Sequence, residues 1–364
     1  MRTRWVLGLM AVLSLSACGD FSADVKTNQR NLSSRAVFGL AQENDAAAVA
    51  RALQNTEACK LLKAKAAGGA DVTIELQKCL DSVRAGETIS LPPGTYNVSG
   101  TVKVEKAITL ETAGLPANYR CDFTNPALSC AEIKALPNAF PEASLGLLAI
   151  TGEGATVRHL SVNGDRFARV GSRAADICRQ GANGHGHNVS VNGRKITVSG
   201  LVSRFALCGT AMWVKGDRLD IRNNAIVFNG AHDANMLWAD GMTVLDASNS
   251  NFTDNYFLDN TDVDFIFGGC QKCAINGNRI EHSSLFVGSS FAAMMLHAWP
   301  DGATSGDYTG TDVSRNVIDC GPERRCGFGL YLGAESWYSA PLFGGYFHDN
   351  VIRNALGGFM VEKA

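Results

Sequence analysis

The chain has 364 residues, a formal net charge of −2 and 46% apolar residues. That balance excludes the basic excess of a nucleic-acid binder, and the length suffices for one elongated domain or two compact ones. Glycine is over-used, 38 residues against 9 prolines, and the apolar runs are short, which predicts an all-β chain with many tight turns.

The first 17 residues read as a signal peptide. A basic start, Met1-Arg2-Thr3-Arg4-Trp5, precedes a short apolar run that ends at Cys18. The run is too short to span a bilayer. Leu15-Ser16-Ala17-Cys18 resembles the bacterial lipobox, which implies lipidation of Cys18 and anchoring in the cell envelope. The alternative is an ordinary signal peptide with an incidental cysteine. Gly19, not Asp, follows the cysteine, so no inner-membrane retention signal is seen and the outer membrane is the expected address. Residues 18–40 read as a tether, and 41–364 as a single domain.

Export accounts for the other ten cysteines. Sequence neighbours suggest Cys59–Cys79, Cys121–Cys130, Cys178–Cys208, Cys270–Cys273 and Cys320–Cys326. Only Cys270 and Cys273 have metal-like spacing, and no second pair answers them, so no metal site is expected. His185 and His187 likewise lack further ligands.

Asn44 to Leu53 and Val72 to Val83 carry helical spacing. Residues 86–114 then alternate between apolar segments and Pro-Pro-Gly or Gly turns, which is strand chemistry. Two loop inserts are expected, at about 113–150 and 163–193. Arg158, Arg166, Arg169, Arg173 and Arg179 fall in or beside the second. They read as a solvated loop or as binders of sugar carboxylates.

A repeat follows: an apolar residue, two spacers, Asn, one spacer and another apolar residue. It recurs with Asn224, Asn255, Asn278, Asn316 and Asn350, and in Val157–Val162 with Leu160 in the Asn place. A second apolar set precedes each unit: 211–214, 241–244, 264–267, 293–296, 329–332 and 358–361. Two strands per repeat with variable inserts suit a solenoid whose asparagines stack in a ladder. Leucine-rich repeats and propellers fit poorly. The chain resembles the right-handed parallel β-helix of the pectate lyase superfamily over about residues 70–364. In that resemblance Ala85–Tyr96 is the first coil, capped by the preceding helix. No cap is seen after 358–361, so a further segment or a partner is expected to cover the last coil.

The stretch Asn260–Gly269, NTDVDFIFGG, holds the candidate chemistry. Strict alternation sends Val263, Phe265 and Phe267 into the core and Asp262, Asp264 and Ile266 outward. Asp240 lies one repeat earlier, which places it roughly 5 Å away on the neighbouring strand. Clustered carboxylates repel, so one becomes an acid beside a base. His297 is a supporting acid/base or binder. Trp299, Tyr331, Glu335, Trp337 and His232 are candidate substrate binders, because aromatics beside carboxylates suit sugars; His232-Asp233 is placed to overhang the site. The alternative is that the aspartates are solvated turn residues.

DFIFG resembles the motif of pectin methylesterases, which implies that Asp264 is a nucleophile and Asp240 an acid/base. Two glutamines and an arginine of that pattern are absent, which separates this chain from methylester hydrolysis. Asn260-Thr261-Asp262 resembles polygalacturonases, but their later motifs do not follow. The commitment is a polysaccharide-active enzyme, a hydrolase or lyase on an extracellular acidic glycan. No cofactor is expected, apart from Ca²⁺ in the case of a lyase. The alternative is a non-catalytic carbohydrate-binding or envelope-structural β-helix.

Overall fold

A computed structural model describes residues 57–232, 237–285, 289–300, 302–334, 337–338 and 340–362. The signal segment, Cys18, the tether, the Asn44–Leu53 helix, Asp233 and Glu335 lie outside these residues. Among the described residues, strands form three sheets of nine, nine and ten strands. Every neighbouring pair is parallel, and the chain visits the three sheets in rotation. This is a right-handed parallel β-helix, the hand that crossovers between parallel strands take. The first sheet runs from Thr88–Leu91 to Phe343–His348, the second from Gly94–Val98 to Val351–Arg353, and the third from Val102–Val104 to Gly357–Val361. No helix among the described residues is long and apolar enough to cross a membrane.

Two helices, Glu57–Ala67 and Thr73–Ser82, close the N-terminal end. The second was expected, the first was not. Leu76, Cys79 and Leu80 are its buried face, at the spacing of one helical stripe. Asp71 Oδ1 starts it by accepting from the Thr73 amide at 2.9 Å and the Thr73 hydroxyl at 2.6 Å. The helix also blunts the sheet edge beneath it. Gln77 Oε1 accepts from the Lys103 amide at 2.7 Å and its Nε2 donates to the Lys103 carbonyl at 3.1 Å. A side-chain amide thus stands in for the missing strand, which an open edge requires.

The six apolar sets align as the repeat predicts. Met212, Met242, Phe265, Met294, Leu330 and Phe359 are successive partners in the third sheet. The five asparagines also form one ladder. Each Nδ2 donates to the next Oδ1, at 2.9, 3.0, 2.9 and 2.9 Å from Asn224 to Asn350. Each Oδ1 also accepts a backbone amide of the coil before it. The turn that holds them has two residues, the first left-handed: Asn223, Asp254, Gly277, Arg315 and Asp349 all have φ between 53° and 67°. The ladder ends where Asn224 Oδ1 accepts from the Leu201 amide. Leucines, Leu201 and then Leu160, continue that row.

All five expected disulfides form. The inserts differ from expectation. Residues 113–150 contain Ala131–Ala135 and Leu148–Ile150, strands of the second and third sheets, so the insert is two shorter loops. Likewise Val189–Arg194 belongs to the third sheet. Among the arginines, Arg169 is buried and donates to the carbonyls of Gly164, Ala139 and His185. It clamps the insert from inside and faces no solvent.

Asn278→Ala leaves two buried neighbours, Asn255 and Asn316, each short of a partner. It should cost about 1–3 kcal/mol, the usual penalty for an unsatisfied buried group. Urea unfolding of the variant measures this, and an unchanged midpoint would contradict the ladder's role.

Candidate functional site

The strand Asp262–Phe267 does not alternate from its first residue. Asp262 is left-handed, φ 68°, and the pairing slips between Asp262 and Val263. Such a bulge re-aims the side chains around it. Val263 and Ile266 both pack in the cluster on the outer face of the third sheet, with Ala292, Met295 and Tyr331. Phe265 and Phe267 pack in the core. Asp264 shares its row with Ala211 and Ala293, both core residues. It is therefore turned inward, fully buried. This corrects the outward placement expected from strict alternation.

The inward carboxylate is well supplied. Asp264 Oδ1 accepts from Asn260 Nδ2 at 3.1 Å, and Oδ2 lies 2.8 Å from His282 Nε2. Asn260 belongs to a second corner ladder, accepting from Asn229 Nδ2 at 2.7 Å. Gly241 leaves room for this group, since a Cβ there would meet the Asp264 carbonyl at 2.2 Å and Asn260 Nδ2 at 3.0 Å. His282 was not anticipated. It is buried, with Asp264 on one nitrogen and Asp259 Oδ1 at 3.8 Å from the other. Burial by itself would lower its pKa, but the charge of Asp264, their hydrogen bond and the charge of Asp259 carry it above the ordinary histidine value. Both oxygens of Asp264 are thus already met inside the corner, which is a structural role.

Asp240 and Asp262 form the accessible pair. Asp240 lies on the strand Ala239–Ser248, in the outward row of Val263. Its Oδ1 accepts from the Val263 amide at 3.1 Å and its Oδ2 from the Thr243 hydroxyl at 2.7 Å. Both aspartates keep part of their surface exposed. Asp240 is nevertheless so densely surrounded that burial, then the charge of Asp262, hold its pKa well above the carboxylate range, against the two hydrogen bonds. Burial also raises the pKa of Asp262. Each of two such neighbours makes it harder for the other to ionise. His232 lies on this side of the site: its Nδ1 is 3.3 Å from Ser289 Oγ, beside Ser290, the strand partner of Asp262. Its ring packs against Trp238 at 4.7 Å.

The other candidates gather elsewhere. His297 lies five positions beyond Ala292, the strand partner of Val263, which is roughly 16 Å along the strand. It is thus not beside the carboxylates. It is buried, with Nδ1 3.1 Å from the Gly333 carbonyl. Burial lowers its pKa. Trp299 and Trp337 lie edge-on to it, at 5.0 and 5.4 Å. Tyr331 is buried in the outer cluster. Among the described residues no group of three or more His, Cys, Asp or Glu side chains could hold a metal ion.

No protein-family profile and no curated protein matches the sequence. Solved structures do. An exopolygalacturonase from Thermotoga maritima is 13% identical, with a TM-score of 0.51 over 79% of this chain and 70% of that one. The pectate lyase Pel9A is 16% identical, TM-score 0.46, over 79% and 72%. An endo-xylogalacturonan hydrolase from Aspergillus tubingensis is 12% identical, TM-score 0.46, over 81% and 93%. At these identities the likeness shows the fold alone.

A pH dependence follows from His282. Its folded pKa is raised, so the stability it contributes is full below the unfolded value of about 6.5 and is lost as pH rises through the folded value. Wild type should exceed His282→Gln in melting temperature at acid pH, by a margin that shrinks above about pH 6.5. A margin independent of pH would remove the ion pair from the account.

Proposed function

We propose that this chain is a polysaccharide-active enzyme that hydrolyses an extracellular acidic glycan, with Asp240 and Asp262 as its acid/base pair. The observation that carries the reading is the pair itself: two neighbouring carboxylates on the outer face, both pushed toward the protonated form. Glycoside hydrolysis needs one carboxyl that gives a proton and one that takes a proton from water. Asp240, held highest by burial and by its neighbour, is the acid and protonates the glycosidic oxygen as the C–O bond breaks. Asp262 is the base and takes a proton from the water that adds to the sugar carbon. Its left-handed backbone at the bulge aims its carboxylate. A pair whose carboxyls are pushed toward the protonated form also carries less negative charge, which lowers its repulsion of an anionic sugar. The exopolygalacturonase with this fold makes polygalacturonate the first substrate to try.

A panel of acidic polysaccharides tests this, read for new reducing ends and for ultraviolet-absorbing unsaturated ends. Reducing ends alone mean hydrolysis; unsaturated ends mean a lyase and overturn the mechanism. Silence in both channels favours a binding protein.

Asp240→Asn separates chemistry from stability. Turnover should fall by about 10²–10⁴-fold, the usual contribution of acid–base catalysis. The raised folded pKa of Asp240 means that its ionisation opposes folding, and that cost grows as pH rises above the unfolded carboxylate value. The variant should therefore melt higher than wild type at neutral pH, and the gain should vanish in acid. Full turnover, or a lower melting point at neutral pH, would remove Asp240 from this role.

The same reading places the enzyme in the bacterial envelope, held by a lipid on Cys18. The lipobox resemblance supports this, and so do five disulfides, which suit an oxidising compartment. Cys18→Ala should move the protein from the membrane fraction to the soluble one without changing its melting curve. Retention after a high-salt wash would defeat the anchor.

A further inference from the structure

We propose that the aromatic layer around His297 is a sugar-binding subsite, distinct from the acid pair, that holds a pyranose ring several units away from the bond being cleaved. The proposal rests on the polysaccharide reading and adds to it: the substrate is an extended chain, recognised at two places on one face.

The layer is continuous with the acid pair. Phe291 follows Ser290, the strand partner of Asp262. Its ring meets Phe328 at 5.5 Å, Tyr331 at 5.2 Å and Trp337 at 5.2 Å. Trp337 meets His297, which also meets Trp299 at 5.0 Å and Tyr338 at 5.6 Å. The layer therefore runs along the strands from Phe291, next to the row of Asp240, to His297, joined through Trp337.

A buried structural cluster would hide its rings. Here Trp337 is 49% and Tyr338 41% exposed, so ring surface stays in water beside a site for carbohydrate chemistry. Such rings offer flat apolar area to the C–H face of a sugar. The polar partner is His297. It is 1% exposed. With Nδ1–H donating to the Gly333 carbonyl, Nε2 is a bare acceptor, and among the described residues it has no partner. A buried polar atom without a partner calls for an explanation. Kept neutral by burial, this imidazole cannot pair with a carboxylate. It can accept from a sugar hydroxyl that enters between the rings. Stacking rings plus one acceptor fit the C–H face and a hydroxyl of a pyranose.

Binding to catalytically inert Asp240→Asn protein tests the subsite apart from the chemistry. The probes are the disaccharide and hexasaccharide of α-1,4-linked galacturonic acid, titrated calorimetrically. The hexasaccharide should bind more tightly than the disaccharide. Adding Trp337→Ala should remove most of that advantage, about ten-fold, the scale of one good aromatic contact, and leave the disaccharide unchanged. Trp337→Phe, which keeps a ring, should retain part of it, and its melting curve guards against misfolding. Equal affinities for the two lengths, or a hexasaccharide indifferent to Trp337, overturn the subsite. A wild type that binds with this length dependence but cleaves nothing keeps the subsite and loses the hydrolase. One that cleaves without length dependence does the reverse.

Discussion

A coil of parallel strands cannot satisfy its own backbone. Each N–H and C=O must be met by the coil before or after it, and the rest of this molecule follows from that constraint. Coils must stack in register, so equivalent residues form rows. A polar residue at a corner then finds its partner in the same residue of the next coil, and the asparagine ladder is the result. At the N-terminal end, where the described residues hold no earlier coil, Gln77 supplies a donor and an acceptor to Lys103. The same stacking decides the site. Which way a carboxylate points depends on its row, and a one-residue slip changes the row's meaning.

That explains what could be read in the sequence and what could not. The fold was legible because the apolar sets and the asparagines recur together, and recurrence is what stacking demands. The disulfides were legible because each joins sequence neighbours. Asp264 was misread because strict alternation was carried through the start of its strand, where the left-handed Asp262 breaks it. A signal for the true orientation was present. The first positions of the other five sets are Ala211, Gly241, Ala293, Gly329 and Gly358, a row of small residues that marks a tight inward corner. His282 had no such signal, since its row, with Phe205, Phe228, Asp259 and Cys320, holds no second histidine. His297 was recognised as chemistry, but its distance from Asp240 depends on register, which variable inserts conceal.

Three aspartates within one coil step thus have two different fates, and their partners decide which. Asp264 is buried with a histidine and an amide, so its charge is compensated where it stands. Asp240 has a hydroxyl and one amide and faces Asp262, so its charge is opposed. A compensated buried ion holds a corner together, whereas an opposed one is a standing cost to the fold. Groups that folding would rather not ionise are where chemistry is to be sought. On that ground the corner carboxylate is architecture and the outer pair is the candidate machinery.

The two clusters on the outer face lie at opposite ends of the same strands. Rows running along the solenoid axis would line up equivalent positions of successive coils. Here the acid pair and the His297 layer are displaced along the strand, about 16 Å apart, and the aromatic rings between them follow that direction. A chain bound to both must cross the coils obliquely. Rigid sheets can hold such a separation without moving, because each strand is fixed by two neighbours through backbone hydrogen bonds. The inserts at the corners then remain free to vary without disturbing the distance between the acid pair and the His297 layer.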